Sequence, residues 1–122
     1  MKLAFITDEA TQDFGEAVRF ARRHGLGALE LRTVEGLPID RISPATLREW
    51  RAVLCGEGLC VCSLASAFGK CAPEEAASAA ELERLDRLCD AAEALDCRYI
   101  RGFAFFAPAG GPLPAERFAP LL

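Results

Sequence analysis

The sequence predicts an α/β fold built on a parallel sheet. Short apolar strand patterns at residues 3–6, 28–32, 60–65 and 99–105 alternate with amphipathic helical patterns, so strand starts fall 25 to 39 residues apart. Strands that alternate with helices imply right-handed crossovers, and such crossovers make neighbouring strands parallel. The chain has 122 residues, 52% of them hydrophobic, which suits one domain with a substantial core.

Residues 3–6 (Leu-Ala-Phe-Ile) read as a buried strand, followed by the polar Thr7-Asp8-Glu9. Phe14, Ala17, Val18 and Ala21 then recur at helical spacing, with Asp13 as N-cap, Gly25 as C′ residue and His24 on the last turn. Residues 28–32 form the second strand. Ser43-Pro44 places a hydroxyl cap before a first-turn proline, and Leu47, Trp50, Val53 and Leu54 form the stripe of a helix ended by Gly58. After the strand at 60–65 comes a loop through Lys70 and Pro73. Ser78 and Glu81 make a capping box, each side chain reaching an orphan amide of the first turn. Behind it, Leu82, Leu85, Leu88, Cys89, Ala92 and Leu95 mark the buried face. Glu83, Arg84, Asp86, Arg87, Asp90 and Glu93 mark a solvated one, with Glu83 and Arg87 at i,i+4. The strand at 99–105 ends in a Pro- and Gly-rich loop, and another helix begins near Ala115. Phe103, Phe105 and Phe106 read as core packing, with an apolar surface for a sugar face as the alternative. Two architectures fit: a doubly wound open sheet, or the first four strands and three helices of a (β/α)8 barrel. A whole barrel takes about 250 residues.

The charge distribution narrows the function. Residues 1–61 carry 8 Lys/Arg against 9 Asp/Glu and residues 62–122 carry 6 against 9, for a net charge of −4. No basic stripe exists, which argues against nucleic-acid binding led by phosphate contacts. No apolar run approaches the ~20 residues of a membrane span, and the N-terminus lacks the pattern of a secretory signal, so a cytoplasmic location is expected. The six cysteines, at 55, 60, 62, 71, 89 and 97, include no Cys-x-x-Cys pair, and His24 is the lone histidine. They read as reduced thiols acting as small apolar residues, with a redox or metal role for Cys60, Cys62 and Cys71 as the alternative.

Function in either architecture sits at the carboxyl ends of the strands. The first end carries Asp8 and Glu9 and no glycine, which excludes a phosphate-wrapping nucleotide loop and suits sugar hydroxyls, a cation or a basic ligand. Glu30 and Arg32 are two apart on the second strand, hence on one face, with Leu29 and Leu31 on the other. That pattern places the charged pair on the concave side of a curved sheet. Lys70 lies just beyond the third strand and Arg101 within the fourth. A charge on a nearly buried strand is costly unless paired, so each is either a ligand contact or half of an ion pair.

Several segments together resemble the sugar phosphate isomerase/epimerase family of xylose isomerase-like TIM barrels, related also to the family-2 apurinic endonucleases. They are the opening Leu3-Ala-Phe-Ile-Thr-Asp-Glu9, the turn His24-Gly25-Leu26, the strand Ala28-Leu-Glu-Leu-Arg32, the run Gly58-Leu-Cys-Val-Cys-Ser-Leu-Ala-Ser66, and Leu95-Asp-Cys-Arg-Tyr-Ile-Arg101. The resemblance spans residues 2 to about 107 and implies the N-terminal half of such a barrel, truncated within a starting helix. It implies proton transfer on a sugar by a divalent-metal enzyme (Mn, Mg, Co or Zn). The family's Glu, Asp, His, Glu ligand set lies on later barrel strands, so the metal ligands are expected to be absent from this chain and no catalytic residue is assigned. Asp8, Glu9, Glu30, Arg32, Lys70 and Arg101 are then expected on the substrate side. The expected function is that of a sugar (phosphate) isomerase or epimerase in the full-length form, with this chain an inactive fragment. The alternatives are an apurinic endonuclease-like relative and a non-catalytic half-barrel that self-associates through exposed strand edges. The expected partner is a small sugar, with neither nucleic acid nor membrane.

Overall fold

Strands and helices alternate as the sequence implies in the structure, a computed structural model that describes residues 2–72 and 78–106. The order is β1 (Ala4–Ile6), the 3-10 turn η1 (Thr7–Glu9), α1 (Phe14–Arg23), β2 (Ala28–Leu31), β3 (Thr33–Val34) and β4 (Leu37–Pro38). It continues with a second 3-10 turn η2 (Ile39–Arg41), α2 (Pro44–Gly56), β5 (Cys60–Ala65), α3 (Ala79–Leu95) and β6 (Ile100–Arg101). The helix expected near Ala115 lies outside the described residues, as does Pro73.

The main sheet has the order β1-β2-β5-β6, and every pairing is parallel. Successive βα units are therefore neighbours, with no reversal of strand order, which is barrel topology rather than that of a doubly wound sheet. Over the described residues the sheet does not close. Among the described residues, β1 and β6 each have a neighbour on one side only.

Each helix is started and stopped by local chemistry. Asp13 accepts from Glu16 N, Ser43 from Thr46 N and Ser78 from Glu81 N, so all three helices carry a side-chain N-cap. All three end in the same turn. An amide two or three residues beyond the helix returns to a carbonyl five residues back: Leu26 to Ala21 (2.9 Å), Leu59 to Leu54 (2.8 Å) and Cys97 to Ala92 (2.8 Å). The left-handed residue this requires is Gly25, Gly58 and, without a glycine, Asp96 (φ 54°).

The helices bury one face of the sheet. Leu29, Leu31, Leu47, Leu54, Leu64 and Leu88 are at most 1% exposed and share one cluster with Phe14, Ala17, Val18 and Ala21 of α1. Complete burial of one such leucine contributes about 1.5–3 kcal/mol. Trp50 stacks on Phe14 with ring centres 4.4 Å apart, which ties α2 to α1.

Some expected positions are corrected. Val53, Leu82 and Cys89 are exposed. On α3 the buried face runs through Leu88, Ala91, Ala92, Ala94 and Leu95, where small alanines pack against the neighbouring helix in place of the larger side chains at 82 and 89. The fourth strand is only Ile100–Arg101, because the chain turns after Gly102. Phe103 and Phe106 are exposed rather than core residues, and Phe105 adopts φ 65°.

Candidate functional site

The face of the sheet opposite the helices carries the charged residues of β2 and β6. Leu29 and Leu31 point into the helix-packed core, so Glu30 between them lies on the other face, with its side chain 20% exposed. Across the sheet, Arg101 Nε donates to Glu30 Oε1 at 2.7 Å. Just past β2, Arg32 Nε donates to both Asp8 oxygens (2.8 and 3.1 Å), and its Nη2 donates to Glu9 Oε1 at 2.7 Å. Asp8 and then Glu9, through these hydrogen bonds, hold the Arg32 guanidinium above its ordinary pKa range. Glu30 and Arg32, adjacent on one face, are thus each paired to a different strand end and not to each other.

A bulge adjusts this face. The β2–β5 register shifts between Leu29 and Glu30, so that Cys62 is an extra residue between Val61 and Ser63. Leu64 returns to the core opposite Leu31. Burial pushes the Cys62 thiol up, with the Glu30 charge adding to the effect, and its Sγ donates to Leu29 O.

At the carboxyl ends of β2, β5 and β6 these residues line a cleft of about 290 Å³. Arg32 and Thr33, Ala65 and Ser66, Lys70, Arg101 and Phe103 contribute to it, and Pro38, Ile39 and Asp40 form another wall. Asp40 is 9% exposed and faces Arg87 (3.4 Å) and Arg41 (3.7 Å). Lys70 Nζ lies 5.4 Å from the centre of the Phe103 ring, a cation–π contact. The cleft therefore brings Arg32, Lys70 and Arg101 together, while Asp8, Glu9 and Glu30 orient the two arginines.

Two features of this region escaped the sequence reading. One is the β3–β4 hairpin, whose Glu35 and Gly36 both have positive φ, as a two-residue type I′ turn requires. It docks on the start of α1: Phe14 N donates to Glu35 Oε1, and Glu35 N to Gln12 O. The Glu-Gly pair between Val34 and Leu37 was its sequence signal. The other is Glu81. Its carboxylate does not return to the Ser78 amide as a reciprocal capping box would; it accepts from Gly69 N at 2.9 Å and pairs with Arg84. Arg84 and Arg87 are likewise drawn from the expected solvated face into pairs with Glu81 and Asp40, although Arg87 also reaches Glu83 at 4.0 Å.

Strand order, the one-sided helix layer and a cleft at the strand ends all belong to one architecture, and a family comparison agrees. The family model described as xylose isomerase-like TIM barrel matches residues 18–119. The chain belongs to the xylose isomerase-like TIM barrel family. No curated protein and no solved structure matches it.

Members of this barrel family are often metal-dependent, and the carboxylates to test are Asp40, which lines the cleft, and Asp8, Glu9 and Glu30, which pair with its arginines. Asp8 and Glu9 are held by Arg32, Glu30 by Arg101, and Asp40 by Arg87 and Arg41. Among the described residues no group of three or more His, Cys, Asp or Glu side chains could hold an ion. His24 packs its ring, tilted by 45°, against Phe20 at the end of α1, away from the carboxyl ends of the strands. Among the described residues, carboxylates already held by arginines do not fit a resident metal. No described helix is long and apolar enough to cross a membrane.

Proposed function

We propose that this chain forms the substrate-binding half of a sugar isomerase- or epimerase-type barrel, taking a small sugar or sugar phosphate at the carboxyl ends of β2, β5 and β6, and is not active alone. The observation that carries this reading is the convergence of Arg32, Lys70 and Arg101 on one cleft, with the two arginines pre-oriented by carboxylates. A guanidinium fixed through some of its N–H groups keeps the others for ligand oxygens, and the fixed geometry reduces the ordering cost of binding. Phe103 supplies an exposed apolar surface for the C–H face of a sugar. The endonuclease branch of the family finds less support. DNA binding needs many uncompensated basic groups, whereas two of the three cleft cations are already paired with carboxylates.

The test is calorimetric titration of the full chain with D-ribose, D-fructose and D-ribose 5-phosphate, repeated with Arg101→Ala. At least one sugar is expected to bind with a dissociation constant of about 1 mM or tighter, and Arg101→Ala to weaken it by roughly tenfold or more. No binding by any of the three, or equal binding by the variant, would overturn the reading. The outer edges of β1 and β6, unpaired among the described residues, are also expected to associate between chains, so the protein should sediment above monomer mass.

A further inference from the structure

Lys70 differs from the other two cations of the cleft. Arg32 has two carboxylate partners and Arg101 has one, but among the described residues Lys70 has only the Phe103 ring. Among the described residues its ammonium therefore has no carboxylate partner and can face a ligand, provided the loop that carries it stays in place. An exposed lysine on a loop ordinarily samples many rotamers, so its placement depends on the backbone beneath it.

That backbone is unusually tied down. Phe103 N donates to Phe68 O (2.8 Å), Phe105 N to Gly69 O (3.1 Å) and Phe106 N to Cys71 O (2.8 Å), lacing the loop to the segment after β6. Ser66 donates through both N and Oγ to Arg101 O. Gly69 adopts φ 72°, and a Cβ there would fall 2.2 Å from Phe103 O, so the two backbones meet where only glycine fits. The amide of Gly69 turns away from this seam to the carboxylate of Glu81, which is 6% exposed in the first turn of α3.

We infer that Glu81 is the positioning residue of the cleft: by holding the Gly69 amide it fixes the β5–α3 loop, and so sets the Lys70 ammonium over Phe103 where a ligand meets it. The inference rests on the reading of the cleft as a ligand site. A buried carboxylate spent on a loop amide of another element, instead of on its own helix cap, joins the start of α3 to the seam between β5 and β6. A hydrogen bond to a charged acceptor suits this task because it is stronger than one between neutral groups.

The sequence contains two lysines, Lys2 and Lys70, so reductive methylation with 13C-formaldehyde gives two side-chain signals beside that of the N-terminal amine. In the wild-type protein the Lys70 methyl signal is expected upfield of Lys2 because of the Phe103 ring current, and Phe103→Leu should abolish the difference. Glu81→Gln, whose amide oxygen still accepts from Gly69, should keep the shift. Glu81→Ala should lose it while the melt remains cooperative, and should weaken D-ribose 5-phosphate by about 5- to 20-fold, the loss expected when a charged contact is misplaced. If Glu81→Ala does not fold, Glu81→Asp, one methylene shorter, gives the same reading. An unchanged Lys70 signal in the variant that folds, Glu81→Ala or Glu81→Asp, or no upfield shift in the wild type, overturns the inference. If the signals behave as expected but none of D-ribose, D-fructose and D-ribose 5-phosphate binds either protein, the positioning of Lys70 stands and the assignment of the cleft as a sugar site fails.

Discussion

The two faces of the β1-β2-β5-β6 sheet are held by different physics. The helix-side face is apolar and closed, with Leu29, Leu31 and Leu64 essentially without exposure. The opposite face holds Glu30 and Arg101 in a half-exposed pair, and the Arg32 pairs with Asp8 and Glu9 lie at its rim. Stability accumulates on the first face because burial is proportional to area and is barely sensitive to geometry. The second face contributes little stability, since half-exposed ion pairs are worth about 0–1 kcal/mol each. What it contributes is orientation. Substitutions on the second face are therefore expected to leave the fold in place while the helix-side leucines hold it.

The difference is sharpest in the response to truncation. Leu64→Ala or Leu88→Ala is expected to destabilise the chain by about 2–5 kcal/mol, read as a lowered urea midpoint at unchanged slope. Gly69→Ala comes next. It forces a left-handed alanine against Phe103 O and should cost about 1–3 kcal/mol, and also detach the Lys70 loop, seen as loss of amide protection at Phe103 and Phe105. Glu30→Gln and Arg101→Met should change stability by less than about 1 kcal/mol while impairing ligand binding. A large stability loss in either would show that the polar face also carries the fold.

A pH series sharpens the same contrast. Burial raises the Cys62 and Cys97 thiols above their ordinary range in the folded chain. The unfolded chain therefore releases these protons first as pH rises. The stability they contribute is complete below the unfolded thiol pKa of about 8.5 and is lost as pH climbs through the higher folded values. Melting temperature should fall more steeply above that point in the wild type than in Cys62→Ala/Cys97→Ala. At neutral pH, iodoacetamide should label the exposed Cys55, Cys60 and Cys89 well before Cys62 and Cys97.

The helix-side face was legible in the sequence and the polar face only partly so. Phe14, Ala17, Val18 and Ala21 announce α1 by spacing alone, and Leu29 and Leu31 announce their face by a period of two. Burial leaves that periodic trace because it acts on every turn or every second residue. Val53, Leu82 and Cys89 show its limit, since which flank of a helix meets its neighbour depends on packing that the pattern does not encode. Glu30 was read beside Arg32, and Arg101 alone, yet Glu30 and Arg101 pair across 71 positions, and nothing local signals it. Glu81 was hidden by a stronger local motif, because Ser-x-x-Glu reads as a capping box whether or not the glutamate turns elsewhere. The β3–β4 hairpin left a Glu-Gly signal, but its strands are two residues each, too short for alternation to register.

Shift mapping on the 15N-labelled full chain tests most directly whether the polar face is the working one. With D-ribose 5-phosphate, the account predicts amide perturbations at residues 30–33, 65–70 and 101–103, the carboxyl ends of β2, β5 and β6, with α1 and the body of α2 unchanged. Perturbations clustered on the helices, or at the amino ends of the strands around Gly27 and Cys60, would contradict it.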